Sequence, residues 1–385
     1  MSVTEPVQQA SLIRPALLPM RVMEVDFAWL TARRDEIERL GNMQSDPTPF
    51  QTVEWLQAWW NAFGQDYEPH ILVVVAGDQL LGIAPLMMPR RRGWRVLEWL
   101  AAGRSDHAPL LLFPGQERGI LAALERYLTE VPWRWDLLSL RTLQAEHHAR
   151  VREGFHGSLL HAVDDVSPRA LVTMSWDDFL ASKTKKHRGN IRRLLREQEK
   201  GAISVQCETE CTATLLNELA EVEAHSWKAR SGSLRMHGAG ESFFRDALSA
   251  FSARSWLEIW TCRAHGRLLA HLITFRYCDR VYYYNGAYRE DYTQYTELSP
   301  GTLLIAHALR SAHDRHMRSF DFLRGDEAYK ALWINEPRSL YHVVLRANTW
   351  RGRFACLTQI RLRWWLRRSA LARRVHVWIE SRKTR

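Results

Sequence analysis

The chain has 385 residues, 46% hydrophobic and 25% charged, which excludes collagen-like, low-complexity and wholly disordered classes and leaves room for two domains of about 150–190 residues each. Of its 53 Lys and Arg and 43 Asp and Glu, 11 and one fall between Trp350 and Arg385, so residues 1–349 carry 42 of each and the net charge of +10 belongs to the tail. A neutral body argues against a chain built mainly to hold nucleic acid. Five cysteines without a CxxC pair predict a reduced, cytoplasmic protein with no structural zinc or other metal site. No uncharged apolar run approaches about 18 residues, and the start lacks a basic segment followed by an apolar core, so neither a membrane span nor a signal peptide is expected.

In chain order, Arg21–Val25 reads as a strand and Ala28–Leu40 and Val53–Phe63 as helices. His70–Ala76 and Gln79–Met87 are strands around a Gly77-Asp78 turn, and Trp94–Leu100 and Pro109–Leu112 are extended. A helix opens after Pro114-Gly115 and runs to about Glu130; Trp135–Arg141 and Leu159–Val163 are strands. The second half repeats the order. Lys185–Glu199 is a basic helix, Ile203–Gln206 a strand, and Thr212–Ala229 and Glu241–Ala253 are helical. Trp256–Arg263, Arg267–Tyr277 and Arg280–Ala287 are strands, the first two joined at His265-Gly266. A helix opens after Ser299-Pro300-Gly301 and runs to about Arg315. Ser319–Leu323 is a strand, Glu327–Trp333 a short helix and Ser339–Arg346 a last strand. The two hairpin turns and the two Pro-Gly helix openings recur at nearly the same offset, which suggests a duplicated module.

This order of elements resembles the GNAT N-acetyltransferase fold, and its tandem repetition is similar to the FemAB-like acyltransferases, in particular the CelD-like branch. The residues carrying the likeness are Pro49-Phe50-Gln51 with Glu54-Trp55-Leu56, Ser105-Asp106-His107, Lys185–Arg193, Ser226-Trp227-Lys228, Tyr284-Asn285-Gly286-Ala287, Ser299-Pro300-Gly301, and Asp321–Asp326 with Tyr329-Lys330. The resemblance spans roughly residues 20–346. It implies an α/β fold of two GNAT-like modules, mixed sheets flanked by helices: residues 20–165, residues 166–349 as the catalytic module, and a basic amphipathic tail over 350–385.

The resemblance implies an acyl-CoA donor whose phosphates meet Ser299, Gly301 and Thr302 at a helix start, where free N–H groups and the helix dipole favour an anion. The same letters also spell an ordinary helix start with Ser as N-cap and Pro at the first position. The usual basic, glycine-spaced GNAT phosphate loop is missing; TELSPGTLL stands there instead. Asn285, Gly286 and Ala287 end a strand in which a bulge at glycine would free an N–H for the thioester carbonyl. Asp326 is the expected base or orienting group for the acceptor, Tyr329 the acid for the leaving thiolate, and Lys330 and Arg324 hold an acidic group of donor or acceptor. The alternative is a structural turn with Asp326 capping the following helix. Asp106 and His107 are expected to reach the acceptor from the first module, and Trp227 and Lys228 to stack on a sugar or acyl group and pair an anion.

The expected activity is transfer of an acyl group, from acetyl-CoA or another acyl-CoA, to an amine or hydroxyl of a sugar or cell-envelope precursor, as in exopolysaccharide or cellulose biosynthesis. A FemX-like transferase fed by aminoacyl-tRNA, which the basic helix favours, and a non-catalytic scaffold of a polysaccharide system are the alternatives. In the tail, Trp350, Phe354, Leu357, Ile360, Trp364, Leu371, Val375 and Trp378 share one helical face among arginines. That pattern suits the anionic inner face of the cytoplasmic membrane, or equally a helix docked on the body with snorkelling arginines.

Overall fold

The computed structural model describes residues 19–90, 93–131 and 135–358. The first half comprises β1 (Arg21–Val25), α1 (Phe27–Ala32), α2 (Arg34–Asn42), α3 (Val53–Phe63), β2 (Tyr67–Ala76), β3 (Gln79–Pro89), β4 (Val96–Trp99), β5 (Leu111–Leu112), α4 (Glu117–Glu130), β6 (Leu137–Leu143), α5 (Ala145–Gly154) and β7 (Ser158–Val166). The second half comprises β8 (Arg169–Leu171), α6 (Trp176–Ser182), α7 (Lys185–Glu199), β9 (Ser204–Glu208), α8 (Ala213–Ala224), α9 (Trp227–Ser231), α10 (Ala239–Ala253), β10 (Leu257–Ala264), β11 (Arg267–Tyr277), β12 (Arg280–Tyr288), α11 (Pro300–Asp314), β13 (Ser319–Asp321), β14 (Ser339–Arg346) and α12 (Trp350–Cys356). The long strands stand where their alternating and β-branched sequences place them. The expected single helix over Ala28–Leu40 is broken at Arg33, whose backbone leaves the helical region. Beyond Tyr329 only one 3-10 turn forms, Lys330–Leu332, in place of the expected helix.

Two mixed sheets result. The first runs β1-β2-β3-β4-β6-β14-β7, with β5 attached to β3, and the second runs β8-β13-β12-β11-β10-β9. The modules are not cut at residue 165. β14, expected in the second module, lies antiparallel between β6 and β7 of the first sheet. β8 follows β7 after a few residues and pairs with β13 of the second sheet. The first sheet thus takes β14 from beyond the boundary, so residues 166–349 do not form a self-contained unit.

The sheets are joined by a shared apolar core. Trp55 of α3 is fully buried, with its ring 5.0 Å from Phe243 of α10 and 5.1 Å from Tyr284 of β12. Its indole N–H donates to Ser105 Oγ at 2.9 Å, so the polar edge of this large side chain is also satisfied. A polar seam completes the junction. Asp46 accepts from Arg338, from Arg169 at 3.3 Å and pairs with Arg280 at 3.1 Å. Arg338 also pairs with Asp321, which accepts from Ser167 Oγ at 3.2 Å. Burial would raise the Asp46 pKa, but Arg338, His107, Arg169 and Arg280 outweigh it and hold the carboxyl below its ordinary range.

Candidate functional site

β12 and β13 run parallel over only three residues, from Arg280 opposite Ser319 to Tyr282 opposite Asp321. β12 then continues to Tyr288, paired among the described residues only with β11, and it parts from β13. One extra residue, Tyr284, sits in β12 between Tyr283 opposite Thr274 and Asn285 opposite Ile273. The expected bulge is therefore present, but at Tyr284 and not at Gly286. A cleft of about 890 Å³ opens in the gap.

One flank of the cleft belongs to α11. Ser299, Pro300, Gly301 and Thr302 line it, together with Tyr283, Phe322 and Tyr329. Ser299 stands in the left-handed region, at φ 40°, and its side chain makes no capping hydrogen bond. The ordinary N-cap alternative thus fails, and the first amides of α11 receive nothing from the cap residue. Gly286 has a packing role: a Cβ there would stand 2.5 Å from the Tyr283 hydroxyl. Desolvation and the adjacent Tyr283 push the Tyr329 phenol well above the usual tyrosine range, so its hydroxyl keeps its proton.

The other flank is lined by α9 and the segment after it, backed by α8, and is strongly polar. Glu223 of α8, 1% exposed, pairs with Lys228 at 3.1 Å; its other oxygen accepts from the Arg235 and Met236 amides at 2.8 and 2.7 Å. Asn285 accepts from Lys228 and donates to Glu223 at 3.3 Å. Burial would raise Glu223, but Lys228 and the two amides dominate and keep it ionised. Burial pushes the Lys228 ammonium down. His271 of β11 lies beside them, buried, with neither ring nitrogen hydrogen-bonded. Burial and then Lys228 drive its pKa down to about 3, which makes it a neutral imidazole on the cleft wall.

The expected residues divide accordingly. Asn285, Gly286, Ala287, Ser299, Gly301, Thr302, Asp106, Trp227, Lys228, Arg324, Tyr329 and Lys330 all line the one cleft. Asp106 comes from the first module, is 4% exposed and meets Arg324 Nε at 3.6 Å; Arg324 also faces Asp165 at 3.8 Å. Trp227 is 43% exposed at the rim. Asp326 is different: it is exposed, outside the lining, and caps no helix. His107 is also displaced, because it is fully buried in the seam between modules with its Nε2 2.9 Å from Ser167 Oγ. Lys330 lines the cleft, but its ammonium is spent on the turn: it donates to the Arg324 carbonyl at 2.8 Å and pairs with Glu327 at 2.8 Å. Glu223, Arg235 and His271 escaped the sequence reading. Glu223 sits five residues before Lys228 in one helical stretch, which was the available signal; Arg235 and His271 carry no local motif.

Among the described residues, the corresponding gap in the first module is bridged. β4 and β6 also part after Glu98 opposite Ser139, but the Trp99 indole donates across the gap to the Arg141 carbonyl at 3.0 Å, and Ala108 N bonds Thr142 O at 3.0 Å.

A strand with a single bulge, splayed from its parallel neighbour beside a helix start, is the arrangement expected of an acyl-transfer domain. The family model for the acetyltransferase (GNAT) domain matches residues 185–331. This stretch is a GNAT acetyltransferase domain. It contains α7 to β13 and nearly the whole cleft. Among solved structures the chain is similar to FemX, at 11% identity over 88% of this chain and 99% of that one, with a TM-score of 0.64. It is also similar to a conserved protein of unknown function from Bacteroides thetaiotaomicron, at 12% identity, 86% and 100% coverage and a TM-score of 0.53. L-PGS from Bacillus licheniformis matches at 13% identity, 80% and 94% coverage and a TM-score of 0.50. At such identities the likeness concerns the fold: two GNAT modules in tandem, arranged as in FemX. No curated protein matches the chain in sequence.

Proposed function

We propose that the GNAT domain transfers an acyl group from an acyl-CoA to an amine or hydroxyl, and that its cleft divides the two substrates between its flanks. The donor's phosphates lie against the uncapped start of α11, at Ser299, Gly301 and Thr302, where backbone N–H groups and the dipole favour negative charge. Its thioester runs along the free edge of β12 beyond Tyr282, and a β12 amide near the Tyr284 bulge polarises the carbonyl. The acceptor enters from the α8 flank. Its nucleophile attacks the thioester carbon, Asp106 takes the proton, and the C–S bond breaks as Tyr329 protonates the leaving thiolate. Asp106 replaces Asp326 in this role because it is buried in the cleft. The observation that carries the reading is the coincidence of the uncapped α11 start and the β12 bulge in one cleft.

Calorimetry with acetyl-CoA and longer acyl-CoAs tests it. Saturable binding is expected, weakened at least about tenfold by Gly301→Asp, which sets a carboxylate against the donor phosphates. Absence of binding by every acyl-CoA overturns the donor assignment.

The acceptor we favour is a sugar or cell-envelope precursor handled in the cytoplasm near the membrane. No helix among the described residues is long and apolar enough to cross a bilayer. However, Trp350 is 75%, Phe354 54% and Leu357 48% exposed at the start of the basic tail, as a lipid-facing stripe requires. The remainder of that stripe, from Ile360 to Trp378, lies outside the described residues. A second reading, an aminoacyl-tRNA donor, is favoured by α7, whose Arg193 bonds the Glu297 carbonyl just ahead of α11. Its exposed cations thereby flank the donor side. Retention of charged tRNA together with indifference to acyl-CoA would select it.

A further inference from the structure

The cations of the cleft are not equally matched. Lys228 is paired with Glu223, Arg324 with Asp106 and Asp165, Arg289 with Glu221 and Asp291, and Lys330 with Glu327. Arg235 is the exception among the described cations lining the cleft. Its guanidinium lies over the Tyr284 ring, 5.3 Å from the centroid, and its Nη1 is buried without a hydrogen-bond partner. Burial works against its charge, but Tyr284, which also hydrogen-bonds it, and then Asp106 and Glu223 through space outweigh that; among the described residues no carboxylate pairs with it directly. Beside it stands a second unmatched guanidinium, Arg104 of the first module, held over the rings of Phe63 and Phe243 at 5.3 and 5.8 Å. Burial lowers the Arg104 pKa; Tyr284 and Glu223 favour its charge and Arg235 opposes it, and the net effect is downward.

The backbone is shaped to bring the two together. Tyr284 donates to the Arg104 carbonyl at 3.3 Å, and Glu223 holds the Arg235 amide. At Gly240 a Cβ would stand 2.0 Å from the Arg235 carbonyl oxygen and 3.0 Å from Arg104 Nη2, so only glycine permits this approach. An anion between them would relieve the repulsion that Arg235 exerts on Arg104 in this partly desolvated place and would give the unpartnered Arg235 Nη1 an acceptor. A planar fork of N–H donors suits a carboxylate or a phosphate.

We propose that Arg235 and Arg104 form an anion subsite on the acceptor flank, so that the acceptor carries a carboxylate or phosphate besides its nucleophile. The inference rests on the reading of this flank as the acceptor side. It adds a specificity element that neither module possesses alone, because each contributes one arginine.

The test titrates succinate and, separately, inorganic phosphate into the full chain already saturated with CoA, so that the donor's phosphate site is filled. Binding of at least one anion is expected, weakened at least about tenfold by Arg235→Gln and by Arg104→Gln, and largely retained in Arg235→Lys. A preference for one anion identifies the acceptor's group. If neither anion binds, or if both glutamine variants bind as the parent does, the proposal is overturned. Arg104→Gln guards against a folding defect at Arg235. If CoA itself fails to bind while the anion binds and Arg235→Gln abolishes that binding, the donor assignment falls and the subsite stands.

Discussion

Replacing Lys330 by methionine separates a residue that holds the site from one that acts in it. The side chain is 3% exposed, and its ammonium donates to the Arg324 carbonyl at 2.8 Å, with the carbonyls of Leu323 and Gly325 at 3.4 and 3.5 Å and Glu327 at 2.8 Å. Methionine fills a similar volume but satisfies none of these oxygens. The short bond to Arg324 is charge-assisted and worth about 1.5–3 kcal/mol; the two long contacts add little, and the Glu327 pair, with its carboxylate half exposed, adds well under about 1 kcal/mol. Release of a desolvated ammonium offsets part of the loss, leaving about 2 kcal/mol. For a chain of this size that is a fall of roughly 3–6 °C in Tm. The turn carries Arg324 and Tyr329 into the cleft, so acyl transfer should fall together with stability. Melting followed by fluorescence, alongside steady-state transfer, is the assay. An unchanged Tm with transfer abolished would refute the argument and make Lys330 a group that touches substrate. Asp326→Asn is the control: exposed and outside the cleft, it should leave both Tm and rate unchanged.

Gly286→Ala requires the Tyr283 ring to retreat by about 1 Å from its 2.5 Å approach, at an overpacking cost of about 1–3 kcal/mol, and because Tyr283 lines the donor flank the affinity for acyl-CoA should drop about tenfold; unaltered binding by calorimetry refutes this. His271, His147 and His342 are buried neutral, driven by burial to about 3, about 4 and about 4 respectively. Their folded pKa values lie below the unfolded value near 6.5, so the unfolded chain binds more protons on the acid side; the stability is complete above about pH 6.5 and is lost as pH falls towards 4. A Tm that stays flat between pH 7 and 4.5 contradicts it. Truncation after Thr349 should abolish sedimentation with phosphatidylglycerol vesicles and leave acyl-CoA binding intact; vesicle binding by the truncated chain removes the tail from the account.

Much of the fold was legible in the sequence because its long strands carry local signals. β11 and β14 stand within their expected bounds, and the His265-Gly266 turn takes the positive φ values a tight hairpin demands. The short pieces were not legible. β8 is three residues long and exists because β13 needs a partner, which no local pattern announces. The site shows the same division. Ser299–Thr302 and Asn285–Ala287 are contiguous stretches that line the cleft, whereas Arg235, Arg104 and His271 gain meaning only from neighbours far along the chain. Asp326 shows a related limit: it stands exposed outside the cleft lining, and a cluster of polar residues in a turn does not disclose which of them point inward.

The crossing of β14 into the first sheet fixes how the two modules meet. β7 and β8 form one run that changes sheets near Ser167, whose amide bonds the Arg338 carbonyl at 2.8 Å on the way to β14. Arg338 then pairs with both Asp46 and Asp321, so the crossing is fixed by ion pairs buried between the sheets. The first module is thereby held in one orientation against β12, with Trp55 under Tyr284 and Arg104 and Asp106 beside the acceptor flank. Separate domains on a linker would leave those two side chains free to wander, and positioning to within an ångström is what acyl transfer requires.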